Sequence, residues 1–204
     1  MRHLIVTEKF NAAVRIATIL SDGKAKRSTV EGTTVFEWTR GGDRHQVVGL
    51  RGHILNLDYP ESMNDWQRTD LKELIWAEPL KVVTAGKIAA ALKTLGGQAD
   101  EVIIATDFDR EGELIGVEAL NLIKAARPEV RVKRARFSAL TKWDIERAFA
   151  ELAEVDFPLA ASAAAASIAA PPEAWTVANF TPSETADRTS PATVYVISSS
   201  VKSR

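Results

Sequence analysis

Cysteine is absent from all 204 residues, which excludes disulfides, thiol nucleophiles and cysteine metal sites and fits a reducing compartment. Hydroxyls, carboxylates and three histidines are left to do any chemistry. Excess charge of one sign is missing too. Lys and Arg number 26 against 27 Asp and Glu, a net charge of -1, so the surface as a whole is no polycation that grips nucleic acid indiscriminately. Any DNA binding must therefore be local. No stretch approaches the ~20 apolar residues that span a bilayer, and the opening Met1 to Phe10 has too short an apolar run for a signal peptide. These absences predict a cytoplasmic protein that engages no membrane. What is present, 46% hydrophobic and 26% charged residues, suits one globular domain with an appendage.

Charge density falls abruptly near residue 157. Residues 158–204 hold only 6 charged side chains in 47, whereas Ala, Ser, Thr and Pro supply 30. Such a segment has few large apolar groups to offset the entropy of ordering, so it is expected to be a largely disordered low-complexity tail with a helical start in the Ala run 160–170. The folded unit is expected to be 1–157. Within it, Leu4-Ile5-Val6 reads as a buried strand and Asn11 to Leu20 as an amphipathic helix. Thr29 to Trp38 and His45 to Leu50 are β-rich runs around Arg40-Gly41-Gly42-Asp43, a hairpin signal. Further on come a helix over Thr84 to Leu95 closed by Gly96-Gly97, a buried strand over Val102 to Thr106, a helix over Glu111 to Ala126, a strand over Val130 to Phe137, and a helix capped by Thr141 with Asp144 three residues on. Strands alternating with helices predict an α/β fold with a largely parallel sheet covered on both faces.

The most informative stretch runs from the apolar strand at Val102 into Asp107, Asp109, Glu111 and Glu113, four carboxylates within seven residues. Ligands of parallel α/β sheets gather at the carboxyl ends of strands, where this cluster falls. On an extended chain Asp107 and Asp109 would point the same way, roughly 6.6 Å apart, and could converge on one cation. Hard oxygen donors without His or Cys favour Mg²⁺ or Mn²⁺. The bland alternative is that the acids cap the next helix, which one or two would suffice to do. Four neighbouring acids, with Gly112 set where the backbone must approach something closely, exceed that need, because like charges oppose each other's ionisation unless a cation neutralises them. Glu8, after the first strand, is either a fifth carboxylate at the same edge or a solvated loop residue. Arg131 to Arg136 reads equally as a phosphate-binding strand or a charged edge strand. His53 alone is an ordinary loop histidine, and Trp38, Trp66, Trp76 and Trp143 read as core.

In chain order, Leu4-Ile5-Val6-Thr7-Glu8-Lys9, Gly52-His53-Ile54, Asp107-Phe108-Asp109-Arg110-Glu111-Gly112-Glu113 and the segment from Arg134 through Phe137 to Thr141 resemble the Toprim domain of type IA DNA topoisomerases, over residues 3–157. The D-x-D-x-E pattern alone would also suit primases and small ribonucleases. Gly52-His53 and the R-x-x-F segment point to topoisomerase, and the stretch from Gly52 to Pro60 has an archaeal character. The resemblance implies a Rossmann-like parallel sheet with helices on both faces and an inserted β-hairpin. It implies an enzyme that cuts one strand of single-stranded or supercoiled DNA with a tyrosine, passes another strand and reseals, without a nucleotide cofactor. By motif, Glu8 would serve as acid and base at the 3′ oxygen, Asp107, Asp109 and Glu111 would hold Mg²⁺ with Glu8 sharing it, Arg134 would contact the scissile phosphate, and Lys9 and His53 would contact DNA.

The sequence departs from that family at Phe10 and Ala12, where relatives place proline and lysine, leaving Lys9 as the substitute phosphate contact. It also departs after Phe157, where the Arg- and Asp-rich start of a DNA-binding domain gives way to Ala-rich sequence. The only tyrosines, Tyr59 and Tyr195, match no motif of the nucleophile. The expected protein is a topoisomerase chain truncated after its Toprim domain, through a reading-frame change near residues 162–166, and inactive alone. A stand-alone Toprim nuclease using metal-activated water, or a binding module acting through its tail, are the competing readings.

Overall fold

A computed structural model describes residues 1–167 other than Trp66, Ile75, Trp76 and Glu78. The expected tail, 158–204, is described only to residue 167; the rest of it, with Tyr195, and the expected core positions of Trp66 and Trp76 lie outside the described residues.

The sheet is built around β1 (Arg2–Thr7), whose Leu4, Ile5 and Val6 are all buried, the pattern of a central strand covered on both faces. It pairs in parallel with β4 (Asp43–Gly49) on one side and β7 (Glu101–Ala105) on the other, and β8 (Arg131–Arg134) pairs in parallel with β7. Two antiparallel strands, β3 (Thr33–Arg40) and β2 (Lys26–Val30), extend the β4 side, giving the order β2-β3-β4-β1-β7-β8. The α/β architecture is the expected one.

Side chains alternate across this sheet. Leu4 and Val6 of β1 and Val102 and Ile104 of β7 face α3 (Gly86–Gln98) and α4 (Arg110–Ala126), in a cluster with Leu92, Leu95, Leu120 and Ile123. Ile5, Val47 and Ile103 face the opposite way, onto Ala13, Ile16 and Ala17 of α1 (Phe10–Leu20), Ile145 and Ala148 of α5 (Lys142–Ala150), and Phe137. Thr141 caps α5 by accepting from the Asp144 N–H at 3.2 Å, as expected. Trp38 is in the second cluster, whereas Trp143 is 63% exposed, with the Arg147 guanidinium over its ring. The core expectation fails for Trp143 because α5 turns that face to solvent.

Several expected boundaries move. The run from Thr29 to Trp38 is broken by a reversal at Glu31-Gly32, both at positive φ (49° and 73°), so it contributes the end of β2 and most of β3. Two positive φ angles are what a tight two-residue hairpin requires. Gly97, with open space around it, and Gly96 lie inside α3 rather than ending it, and a Cβ at Gly96 would meet Ile123 at 2.5 Å. Glycine is there for close packing of α3 on α4. β8 stops at Arg134, three residues short of Phe137. A separate antiparallel ribbon, β5 (Leu55–Asp58) with β6 (Leu80–Val83), flanks the short α2 (Leu71–Leu74) and joins segments too far apart in sequence for a hairpin signal. The folded unit does not stop at the expected residue 157, because α6 (Phe157–Ser167), the helical start expected of the tail, packs on α4 and buries Ala160 and Ala164.

Register decides where the loops go. Thr7 sits opposite Gly49 and Ala105, and Ile104 opposite Arg134. The carboxyl ends of β4, β1, β7 and β8 are therefore level, and the segments after them emerge along one sheet edge.

Candidate metal and nucleic-acid site

At that edge the first segment is held by Thr7, whose hydroxyl donates to the carbonyls of Lys9 (3.1 Å) and Val48 (3.2 Å). The Gly52 N–H donates to the Glu8 carbonyl at 3.2 Å, and the chain passes over Gly49 so closely that a Cβ there would lie 2.7 Å from the Phe10 Cα. Glu8, 8% exposed, points into a cleft of about 540 Å³ that it shares with Lys9, Phe10, Arg51, Gly52, Asp107, Asp109 and Glu111. Carboxylates from the ends of β1 and β7 thus share one space. The Lys9 ammonium joins them, 2.8 Å from Glu8 Oε1 and 3.6 Å from Asp107 Oδ2. Its bond to Glu8, with the charges of Glu8 and Asp107, raises its pKa.

The acidic segment is folded, not extended. The Asp109 N–H donates to the Asp107 carbonyl at 3.0 Å, a tight turn in which the side-chain alternation of a strand does not apply. Asp109 Oδ1 accepts from the Gly112 N–H at 2.7 Å and caps α4, while the Thr106 hydroxyl donates to the Gly112 carbonyl at 2.7 Å. Gly112 is obligatory here: an added Cβ would lie 2.1 Å from the Asp107 carbonyl oxygen. Capping therefore accounts for Asp109 in part, through one of its two oxygens, and Glu111 stays 74% exposed on its side chain.

Glu113 turns inward. It is fully buried and receives Arg134 Nε at 2.7 Å on Oε1. Arg134, likewise without exposed area, also gives Nη1 to the Ile104 (3.3 Å) and Ala135 carbonyls and Nη2 to the Asp107 carbonyl at 2.9 Å. Burial lowers its pKa and the Glu113 carboxylate opposes that shift. A direct contact with a DNA phosphate needs a guanidinium facing solvent, and Arg134 is not one. It clamps the acidic turn from below.

His53 lies beside the cleft, its Nδ1 3.1 Å from Glu118 Oε2 and its Nε2 3.7 Å from Glu111 Oε1. Glu118 is buried on α4, and its pKa is raised by that burial against the pull of Lys81 and His53. Lys81 of β6 is itself lowered to about 8, by burial first, with Glu118 opposing. Sequence reasoning missed Glu118 and Lys81. The legible signal was an acid inside the apolar run Leu114 to Leu122, two helical turns beyond Glu111.

Among the described residues, no group of three His, Asp or Glu side chains is drawn close enough to form a finished cation site. The donors nevertheless fit a hard divalent cation chemically, being carboxylates from two strand ends around one cleft. The Lys9 side chain that bridges two of them is 65% exposed.

Level parallel strand ends that deliver acids into an edge cleft define an α/β ligand site at the carboxyl side of the sheet. The Toprim domain family matches residues 3–140, and the chain belongs to that family. DNA topoisomerase 1 of Archaeoglobus fulgidus is 46% identical over 165 residues, covering 81% of this chain and 24% of that protein. DNA topoisomerase 1 of Thermoplasma acidophilum is 41% identical over 160 residues, 78% of this chain and 20% of its own. Human DNA topoisomerase 3-alpha is 34% identical over 163 residues, 75% and 16%. The structure of full-length topoisomerase I from Thermotoga maritima shares the fold at a TM-score of 0.53 and 24% identity, covering 81% of this chain and 23% of that one. The chain therefore spans a quarter or less of these relatives. No helix among the described residues is long and apolar enough to cross a membrane.

Proposed function

We propose that this chain is the Mg²⁺-binding Toprim portion of a type IA DNA topoisomerase, a cytoplasmic enzyme that cleaves one DNA strand, passes another through the gap and reseals it. The observation that carries this reading is the meeting of Glu8 and Asp107, from separate strand ends, around one cation, the Lys9 ammonium. Asp107, Asp109 and Glu111 would hold Mg²⁺ with Glu8 at its side, and bound Mg²⁺ supplies charge neutralisation that fixes the phosphodiester and favours rejoining. Glu8, mostly buried between Thr7 and Lys9, would give a proton to the leaving 3′ oxygen in cleavage and take it back in religation. Lys9, released from the two carboxylates, would meet a DNA phosphate. His53 would touch the single strand. Arg134 acts indirectly, by holding the Asp107 backbone in place. Exchange of one phosphodiester for another conserves bond energy, so no nucleotide is needed.

Tyr59 does not line the cleft, and this chain is expected not to relax supercoiled plasmid. The test incubates the purified 204-residue chain with supercoiled plasmid and with single-stranded oligonucleotide, with and without Mg²⁺. Oligonucleotide binding without relaxation agrees with the proposal. Relaxation lost in Tyr59→Phe would contradict the expected inactivity. Mg²⁺-dependent strand scission abolished by Asp107→Ala would favour a stand-alone nuclease instead.

A further inference from the structure

We infer that Glu118 is a positioning residue, which holds Nδ1 of His53 so that Nε2 is the atom presented to a nucleic-acid strand at the cleft. The inference rests on the DNA reading above and deepens it. Glu118 follows Glu111 by seven residues, two turns of α4, so both carboxylates lie on the helix face that His53 meets. One imidazole nitrogen is 3.1 Å from the buried acid and the other 3.7 Å from the exposed one. The acid side chain is 6% exposed and the ring 36%, so the first contact is sheltered and the second is open to exchange for a ligand.

A buried carboxylate is costly unless it is hydrogen-bonded and neutralised. Here His53 and the Leu55 backbone N–H provide hydrogen bonds, and Lys81 of β6 the opposite charge. The neighbouring Gly52 lines the cleft and stands at φ 82°, a conformation that aims the loop. Which imidazole nitrogen keeps its proton is decided by the partner of the other. An acceptor fixed on Nδ1 keeps the proton there. In the neutral ring, Nε2 then carries the lone pair and accepts from amino or hydroxyl groups of a nucleotide. Only in the charged ring does it donate to phosphate.

The test uses the ¹⁵N-labelled full chain. Two-bond ¹H–¹⁵N correlation spectra, recorded where the imidazoles are neutral, read the His53 tautomer, and anisotropy of a labelled single-stranded oligonucleotide reads binding. His3 and His45, stacked 4.8 Å apart at the other end of the sheet, report whether each variant folds. Wild type is expected to show Nδ1–H at His53. Glu118→Gln, which keeps an acceptor, should retain that tautomer and the affinity. Glu118→Met, which removes it at similar volume, should shift to Nε2–H and bind about 10-fold more weakly, the lower end of what a metal-bound histidine loses with its orienting partner. An Nε2–H tautomer in wild type overturns the inference whatever the variants do. So does a folded Met variant with an unchanged tautomer, or one with a changed tautomer and unchanged binding. A wild-type chain that shows Nδ1–H but binds no oligonucleotide refutes the DNA reading and leaves the Glu118–His53 orientation standing.

Discussion

Replacing Arg134 by methionine separates the structural clamp from the site it supports. The guanidinium has no exposed area and holds Glu113 at 2.7 Å and the Asp107 carbonyl at 2.9 Å, besides two further carbonyls. Glu113 is equally buried, and its Oε2 has no hydrogen-bond partner, so removing Arg134 strands a carboxylate in the core. Breaking one side of such a pair costs about 3–5 kcal/mol, a large part of the ~5–15 kcal/mol that holds a domain together. With a urea dependence of ~2 kcal/mol per molar, the midpoint in an unfolding titration followed by circular dichroism should fall by about 2 M. Adding Glu113→Leu removes the stranded charge, and the double variant should return to within about 2 kcal/mol of wild type. The clamp on Asp107 is still missing there, so Mg²⁺ affinity should stay low in a stable protein. A single variant within about 1 kcal/mol of wild type, or a double variant no better than the single, would refute this reasoning.

Lys81 gives a pH signature. Its pKa, about 8 in the fold against 10.5 outside it, means that the unfolded chain binds the extra proton between those values, so stability rises with pH across that window by about 3 kcal/mol and the cost is fully present below pH 8. Urea titrations of wild type should show this rise, and Lys81→Met should lack it; parallel curves would contradict the assignment. Gly112→Ala should cost about 1–3 kcal/mol through overpacking against the Asp107 carbonyl, with a disproportionate loss of Mg²⁺ affinity because the turn gives way before the sheet does. Thr141→Ala removes the cap on the Asp144 N–H and should lower stability by about 1 kcal/mol, leaving the cleft unaffected. An equal loss of Mg²⁺ affinity in this variant would mean that affinity merely follows stability.

Much of the fold could be read directly because its signals are local. The apolar runs at Leu4 and Val102 mark strands buried on both faces, and Gly41-Gly42 marks a reversal; each appears in the structure where expected. Glu31-Gly32 is hidden in the sequence because Thr29 to Trp38 is continuous in β-propensity and a single glycine carries the break. The β5–β6 ribbon pairs strands separated by more than twenty residues, which periodicity cannot register. In the site, residue types at strand ends brought Glu8, Lys9, Asp107, Asp109 and Glu111 to one cleft. Their conformations were not legible. Four acids in sequence divide into a bridged one, a cap, an exposed one and a buried ion-pair partner, a division made by the tertiary position of Lys9 and Arg134. Arg134 looked like a surface contact because strand polarity alone cannot distinguish an edge charge from one folded under a loop.

Calorimetric titration of the full chain with Mg²⁺, wild type beside Asp107→Asn, addresses the acidic cleft most directly. The expected result is uptake at one site in wild type, with the affinity lost in the variant while its unfolding midpoint is kept. Absence of uptake by wild type at millimolar Mg²⁺, or uptake indifferent to Asp107→Asn, would contradict a cation held between the ends of β1 and β7.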